Sequence, residues 1–183
     1  MLVSGFVAIV FGAFAIGLVR DDLHINCSML PPGSEGAGEW ICSDGIGYIG
    51  IAAALGAGWL LVVVAGVIVA FAVRDGRDAR LFLVLLAAAS MMWGTTVTGL
   101  ASVPTGAGYW AVAVGPAALV GILGIAVGAW SLRLRERMSW IAGLAAAVAI
   151  AIAAVLQPGL SLTMIPAVGL LLAAALRTQP RRM

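Results

Sequence analysis

Hydrophobic residues along this chain fall into six long blocks, at about 2–19, 46–73, 81–103, 109–131, 140–156 and 160–176, with short polar joints between them. A helix crossing a bilayer needs roughly 20 consecutive apolar residues, so each block is predicted as one transmembrane helix. The second block is long enough to tilt or to project from the bilayer. The last two are short and are joined by Gln157, Pro158 and Gly159, the residues of a tight hairpin. No charged residue lies deep inside a block, as expected when each would cost about 2.5–3.5 kcal/mol at a helix centre. The expected fold class is all-α: a polytopic bundle of six helices forming a single integral membrane domain over residues 1–183.

The polar joints differ in charge, and that difference predicts an orientation. Arginines concentrate in 74–80, 133–137 and 177–182, after the second, fourth and sixth blocks. By the positive-inside rule these segments are cytoplasmic, which puts both termini inside and loop 20–45 outside. The inner segments carry nine arginines against Asp75, Asp78 and Glu136, a net +6, whereas loop 20–45 carries Arg20 against Asp21, Asp22, Glu35, Glu39 and Asp44, a net −4. The pI of about 8.9 therefore reports membrane topology and gives no reason to expect nucleic-acid binding. Anionic lipids at the cytoplasmic arginine clusters are the expected partners.

Composition agrees with the pattern: 63% hydrophobic residues, 10% charged and a mean hydropathy of +1.13 lie far from soluble domains. The expected location is the cell (plasma) membrane, as a multi-pass protein. All ten basic side chains are arginine, a usage expected of a GC-rich bacterial genome. Without lysine, the chain offers no Schiff-base site for retinal or pyridoxal phosphate and no P-loop lysine. A cleaved signal peptide competes for the first block, with Ala13-Phe14-Ala15 as a crude cleavage site, but the n-region has no basic residue.

Loop 20–45 holds the two cysteines, Cys27 and Cys42, with a Gly/Pro-rich segment between them. In an exported loop they are expected to form a disulfide. Its job would be to turn a floppy segment into a fixed cap over the helix ends. His24, Cys27, Cys42 and Asp44 could instead supply four metal ligands, although the spacing matches no zinc module. A redox-active pair would show C-x-x-C, which is missing. Glu35 and Glu39 stand four apart and read as solvated surface acids rather than an acid/base pair.

Within the blocks the candidate chemistry is small and neutral. His24 is the sole histidine, which removes bis-His haem and H-E-x-x-H zinc sites, and no cofactor is implied. Met91, Thr95, Thr98 and Ser102 fall at i, i+4, i+7 and i+11, on one helical face with Trp93 roughly opposite. The hydroxyls of this row either bond to carbonyls of their own helix or glue helices together, or they line a path for a small neutral solute. Gly47, Gly50, Ala54 and Gly58, and likewise Ala117, Gly121, Gly124 and Gly128, read as close-packing seams.

G-x-G-Y occurs twice, ending at Tyr48 and Tyr109, a weak sign of an old hairpin duplication. With Trp40 and Trp110 these tyrosines suit an outer aromatic belt, and Trp130 with Trp140 an inner one. Pro116 and Pro166 interrupt the fourth and sixth blocks and should free the carbonyls of Val112 and Leu162.

These features point to a non-enzymatic membrane protein, a component or assembly subunit that binds other membrane subunits and presents loop 20–45 to an extracytoplasmic partner. The alternative is a channel or carrier for a small neutral or lipophilic solute. An enzyme would have to use loop acids, cysteines or a metal, and no catalytic constellation stands out.

Overall fold

The computed structural model describes residues 3, 5–7, 10, 17, 20–21, 23–42, 45–103 and 107–177. Most of the first block, the Ala13–Ala15 stretch, Asp44 and both chain ends lie outside the described residues. Those of the first block that are described, Val3, Gly5, Phe6, Val7, Val10 and Gly17, are helical. Gly5 faces Trp59 and Val63 of the second block.

Five further helices follow: α1 (Ile49–Ala72), α2 (Gly76–Ala101), α3 (Ala107–Ser131), α4 (Glu136–Leu156) and α5 (Ser161–Leu176). Five helices among the described residues are long and apolar enough to cross a membrane, counting the short 3-10 turns that extend α1 and α5 at their N-terminal ends. α2 starts five residues before the hydrophobic block because Asp75 caps it, accepting hydrogen bonds from the backbone N–H of Arg77 (2.7 Å) and Asp78 (3.4 Å). The turn at Gln157–Gly159 is tight, with a short 3-10 helix, Pro158–Leu160, running straight into α5.

Helix α5 is the centre of the bundle. Two thirds of its apolar window (67%) is buried, against 22% for α1, and it packs on α2, α4 and, less extensively, α1. α3 lies mainly against α4 and touches α2 only lightly. In a bilayer, water does not drive helices together, so close approach through small side chains has to do so. A Cβ at Gly94 would overlap the Thr163 side chain, and one at Gly143 would sit 2.9 Å from the Cβ of Ala175. A Cβ at Gly124 would sit 3.1 Å from the carbonyl oxygen of Ala146.

Loop 20–45 is not all coil. Strands β1 (Cys27–Met29) and β2 (Trp40–Cys42) pair antiparallel, with Cys27 opposite Cys42, Ser28 opposite Ile41 and Met29 opposite Trp40. The fold is helical as expected, with this small hairpin added in the loop. Three-residue strands are too short to show an alternating pattern, so no periodicity announced them.

Candidate functional site

Three places in the molecule gather candidate chemistry: the hairpin, the hydroxyl row of α2, and the arginine-rich end of the bundle. The hairpin is built from its backbone outward. His24 and Asn26 take positive φ angles of 48° and 58°, a region uncommon outside glycine, where His and Asn are several-fold enriched. The resulting turn sends Leu23 and Ile25 inward, both fully buried. Tyr48 Oη donates to the Ile25 carbonyl at 2.6 Å, and Asn26 Nδ2 donates to the Gly47 carbonyl at 2.9 Å. These bonds tie the loop to the start of α1.

Farther out, Leu30 N–H donates to the Glu39 carbonyl at 3.0 Å, continuing the hairpin past its strands. Gly33, Gly36 and Gly38 at the tip have φ between 82° and 96°, which other L-residues reach only with strain. Cys27 and Cys42 are joined by a disulfide across directly opposed positions, with Cα atoms 3.9 Å apart.

The rings of His24 and Trp40 meet edge to face at 4.5 Å, and each also packs on Tyr109 at the start of α3, at 5.2 and 5.8 Å. The two G-x-G-Y tyrosines thus both hold the hairpin, Tyr48 through a buried hydroxyl and Tyr109 through its ring. Met29 and Ile41, both 55% exposed, carry the hairpin's apolar surface outward. Glu35 and Glu39 are exposed.

The disulfide takes both sulfurs out of the ligand set His24, Cys27, Cys42 and Asp44, since a metal needs the thiolates. His24 Nδ1 is buried without a hydrogen-bond partner among the described residues. Among the described residues no group of three or more His, Cys, Asp or Glu side chains could hold a metal ion.

On α2 the hydroxyl row is turned back on its own helix. Thr95 Oγ1 donates to the carbonyl of Met91 or Met92, both at 3.0 Å, Thr98 Oγ1 to that of Gly94 at 2.8 Å, and Ser102 Oγ to that of Gly99 at 2.8 Å. Thr98 is fully buried and also accepts from Trp110 Nε1 at 3.3 Å. The Met91 side chain fills the notch at Gly121. Between α2 and α3, Met91, Met92, Thr95, Trp110, Ala118 and Ile122 help to line an open groove of about 380 Å³, but its walls are almost wholly apolar.

The predicted seams divide. Gly121, Gly124 and Gly128 face Met91, Ala146 and Leu171 respectively, and Ala117 is buried. Gly58 receives the Trp93 ring, whose Nε1 donates to the Ala54 carbonyl at 2.9 Å. Gly47 and Gly50, by contrast, are exposed, with open space at Gly50.

Two contacts went unread in the sequence. Ser90 Oγ donates across to the Thr163 carbonyl at 2.7 Å, directly beside the Gly94 notch, pinning α2 to α5. Ser90, Gly94 and Thr98 lie four apart, a small-residue pattern that could have flagged that face. Gln157, buried in the α4–α5 turn, donates Nε2 to the Ala113 carbonyl at 3.2 Å, one residue from the carbonyl that Pro116 deprives of its partner.

At the opposite end, three separate arginine segments converge. Arg77, Arg80, Arg133 and Arg177, with Gly76, Leu132 and Glu136, line a cavity of about 630 Å³. Arg80 donates to the Ser131 carbonyl at 3.3 Å and to Ser139 Oγ. Arg177 donates to the carbonyls of Ala70 (2.8 Å) and Val73 (3.3 Å). Both arginines thereby reach the C-terminal ends of other helices, α3 and α1, where carbonyls lack intrahelical donors and the dipole favours positive charge. No protein-family model, curated protein or solved structure matches this chain.

Proposed function

We propose that the protein is a non-enzymatic integral membrane component, an assembly or interaction subunit whose helices bind other membrane subunits and whose disulfide-closed hairpin meets an extracytoplasmic partner. The observation that carries this reading is the fate of the α2 hydroxyl row. Thr95, Thr98 and Ser102 each spend their donor on a carbonyl of their own helix, and Thr98 is fully buried. A path for a neutral polar solute needs hydroxyls that are free to replace hydration, and this row has committed its donors. The hairpin, meanwhile, is anchored by Tyr48, Asn26 and Tyr109 yet leaves Met29 exposed on one face and Ile41 on the other, apolar positions open to a partner. The cell membrane and an outward-facing hairpin belong to the same proposal, supported by the meeting of the arginine segments at the other end.

The deciding experiment is Thr98→Val in reconstituted liposomes. The substitution keeps the shape, removes one hydroxyl and strips Trp110 of its acceptor, so a stability loss of about 1–2 kcal/mol is expected. Glycerol permeability should equal that of protein-free liposomes for wild type and variant alike. A wild-type protein that raises glycerol permeability, with the variant lowering it, would move the assignment to the carrier alternative. Orientation has its own measurement. A cysteine at Gly33 should react with an impermeant maleimide added outside intact cells and one at Arg135 should not, and the reverse pattern would invert the topology.

A further inference from the structure

We propose that the arginine-lined pocket binds the phosphate of an anionic phospholipid, with an acyl chain lying along the Ala126–Trp130 flank of α3. The inference rests on the integral-membrane reading but not on the subunit role. Its first support is charge held in place. Four arginines face one carboxylate, Glu136, around the same cavity. Arg80 and Arg177 are fixed by neutral oxygens of Ser131, Ser139, Ala70 and Val73, which orient the guanidinium groups without cancelling their charge. Arg77 and Arg133 are exposed, available for the forked hydrogen bonding that matches phosphate oxygens.

The second support is independent of charge and separates a lipid from free phosphate. Arg133 also borders a second cavity of about 360 Å³, lined otherwise by Ala126, Ala129 and Trp130. Ala126, Ala129 and Trp130 lie near the C-terminal end of α3 and Arg133 follows in the turn that closes it, its N–H donating to the Trp130 carbonyl at 3.0 Å, so this apolar flank runs roughly 10 Å from the arginine back along the helix. Ala126 and Ala129 leave room there, and Trp130, 61% exposed, forms a wall. A polar, cationic pocket that shares Arg133 with a neighbouring apolar groove suits a phospholipid: headgroup at the helix ends, chain against the helix side. Basic pockets between membrane helices are the usual form of headgroup sites.

The test uses the full chain, purified in neutral detergent and titrated calorimetrically with dioctanoyl-phosphatidylglycerol, dioctanoyl-phosphatidylcholine, the deacylated glycerophosphoglycerol headgroup and inorganic phosphate. Phosphatidylglycerol should bind roughly ten-fold or more tightly than phosphatidylcholine, and more tightly than either chain-free probe. Arg133→Gln and Arg77→Gln, both at exposed positions, should each weaken phosphatidylglycerol about five-fold. Arg135→Gln, the same charge loss in the same segment but outside the pocket, should change it less than two-fold.

Equal binding of the two lipids would overturn the proposal, as would an equal loss in Arg135→Gln, which would mean diffuse attraction only. Inorganic phosphate binding as tightly as the lipid would reassign the pocket to a soluble phosphate. Failure of the chain to remain in membranes after alkaline extraction would instead sink the integral-membrane reading itself, and is scored separately.

Discussion

At one end of the bundle a disulfide, a buried tyrosine hydroxyl and three packed rings hold 20 residues of hairpin in a single arrangement. At the other end, the joints between helices are short, and two arginines reach across to carbonyls at the ends of α1 and α3. The difference follows from what each end has available. An isolated two-stranded hairpin is marginal in water, so loop 20–45 needs a covalent tie and an apolar anchor of its own. The arginine end has helix termini a few residues apart, and the negative ends of their dipoles attract cations. One end is stabilised by restricting the chain, the other by exposed and half-exposed charge, and the two should respond to different perturbations.

Removing the disulfide should give the largest effect. Closing a loop of this size stabilises by about 3 kcal/mol in the chain-entropy model, roughly a hundred-fold in the opening equilibrium. In the Cys27→Ser, Cys42→Ser double variant, the Leu30 amide, bonded to the Glu39 carbonyl, should lose hydrogen-exchange protection by about that factor. Amides of α4 and α5 should keep theirs. Loss of protection throughout the bundle would mean that the two ends are one cooperative unit, and the comparison would fail.

Next in size is Tyr48→Phe. Its hydroxyl donates to a carbonyl of Ile25, a residue with no exposed surface, so the substitution strands a buried acceptor at a cost of about 1–2 kcal/mol. The expected readout is a partial version of the first: faster exchange at Leu30 with the disulfide intact. Should Tyr48→Phe match the double cysteine variant, the docking contacts rather than the covalent tie would be what orders the hairpin.

How much of this was legible in the sequence depends on the range of the signal. Hydropathy placed the long helices because bilayer thickness imposes a length that a run of apolar residues reports directly. It missed the first turn of α2, where Asp75, Arg77, Asp78 and Arg80 read as a joint, because a charged turn can be helical once it is capped. Two cysteines in one loop, expected to lie in an oxidising compartment, implied the bridge, but strands as short as Cys27–Met29 and Trp40–Cys42 leave no periodicity to read. The Thr95–Thr98–Ser102 row was visible as spacing. Whether its donors faced a path or their own carbonyls depended on neighbours such as Trp110, which spacing does not encode. The arginine segments were legible as a topology signal and as an expected place for anionic lipids, but not as one cavity, since their meeting is a property of how α2, α3, α4 and α5 pack.

The smallest effect is expected at the arginine end, and it sharpens the contrast. Arg177→Met keeps much of the side chain's bulk and removes the donors to Ala70 and Val73. The carbonyls left behind lie at the end of a helix with water close by, so they can be rehydrated, and the lost charge–dipole attraction amounts to about 0.5–1 kcal/mol. Unfolding by titration with SDS in mixed micelles should show that shift in low salt. Raising the salt should shrink the difference between wild type and Arg177→Met, because exposed charge is screened. The Cys27→Ser, Cys42→Ser difference should not change, since a covalent tie carries no charge to screen. An Arg177→Met loss that is larger than the disulfide's and indifferent to salt would show that the arginine acts as packing rather than charge, and that both ends are held by restricting the chain.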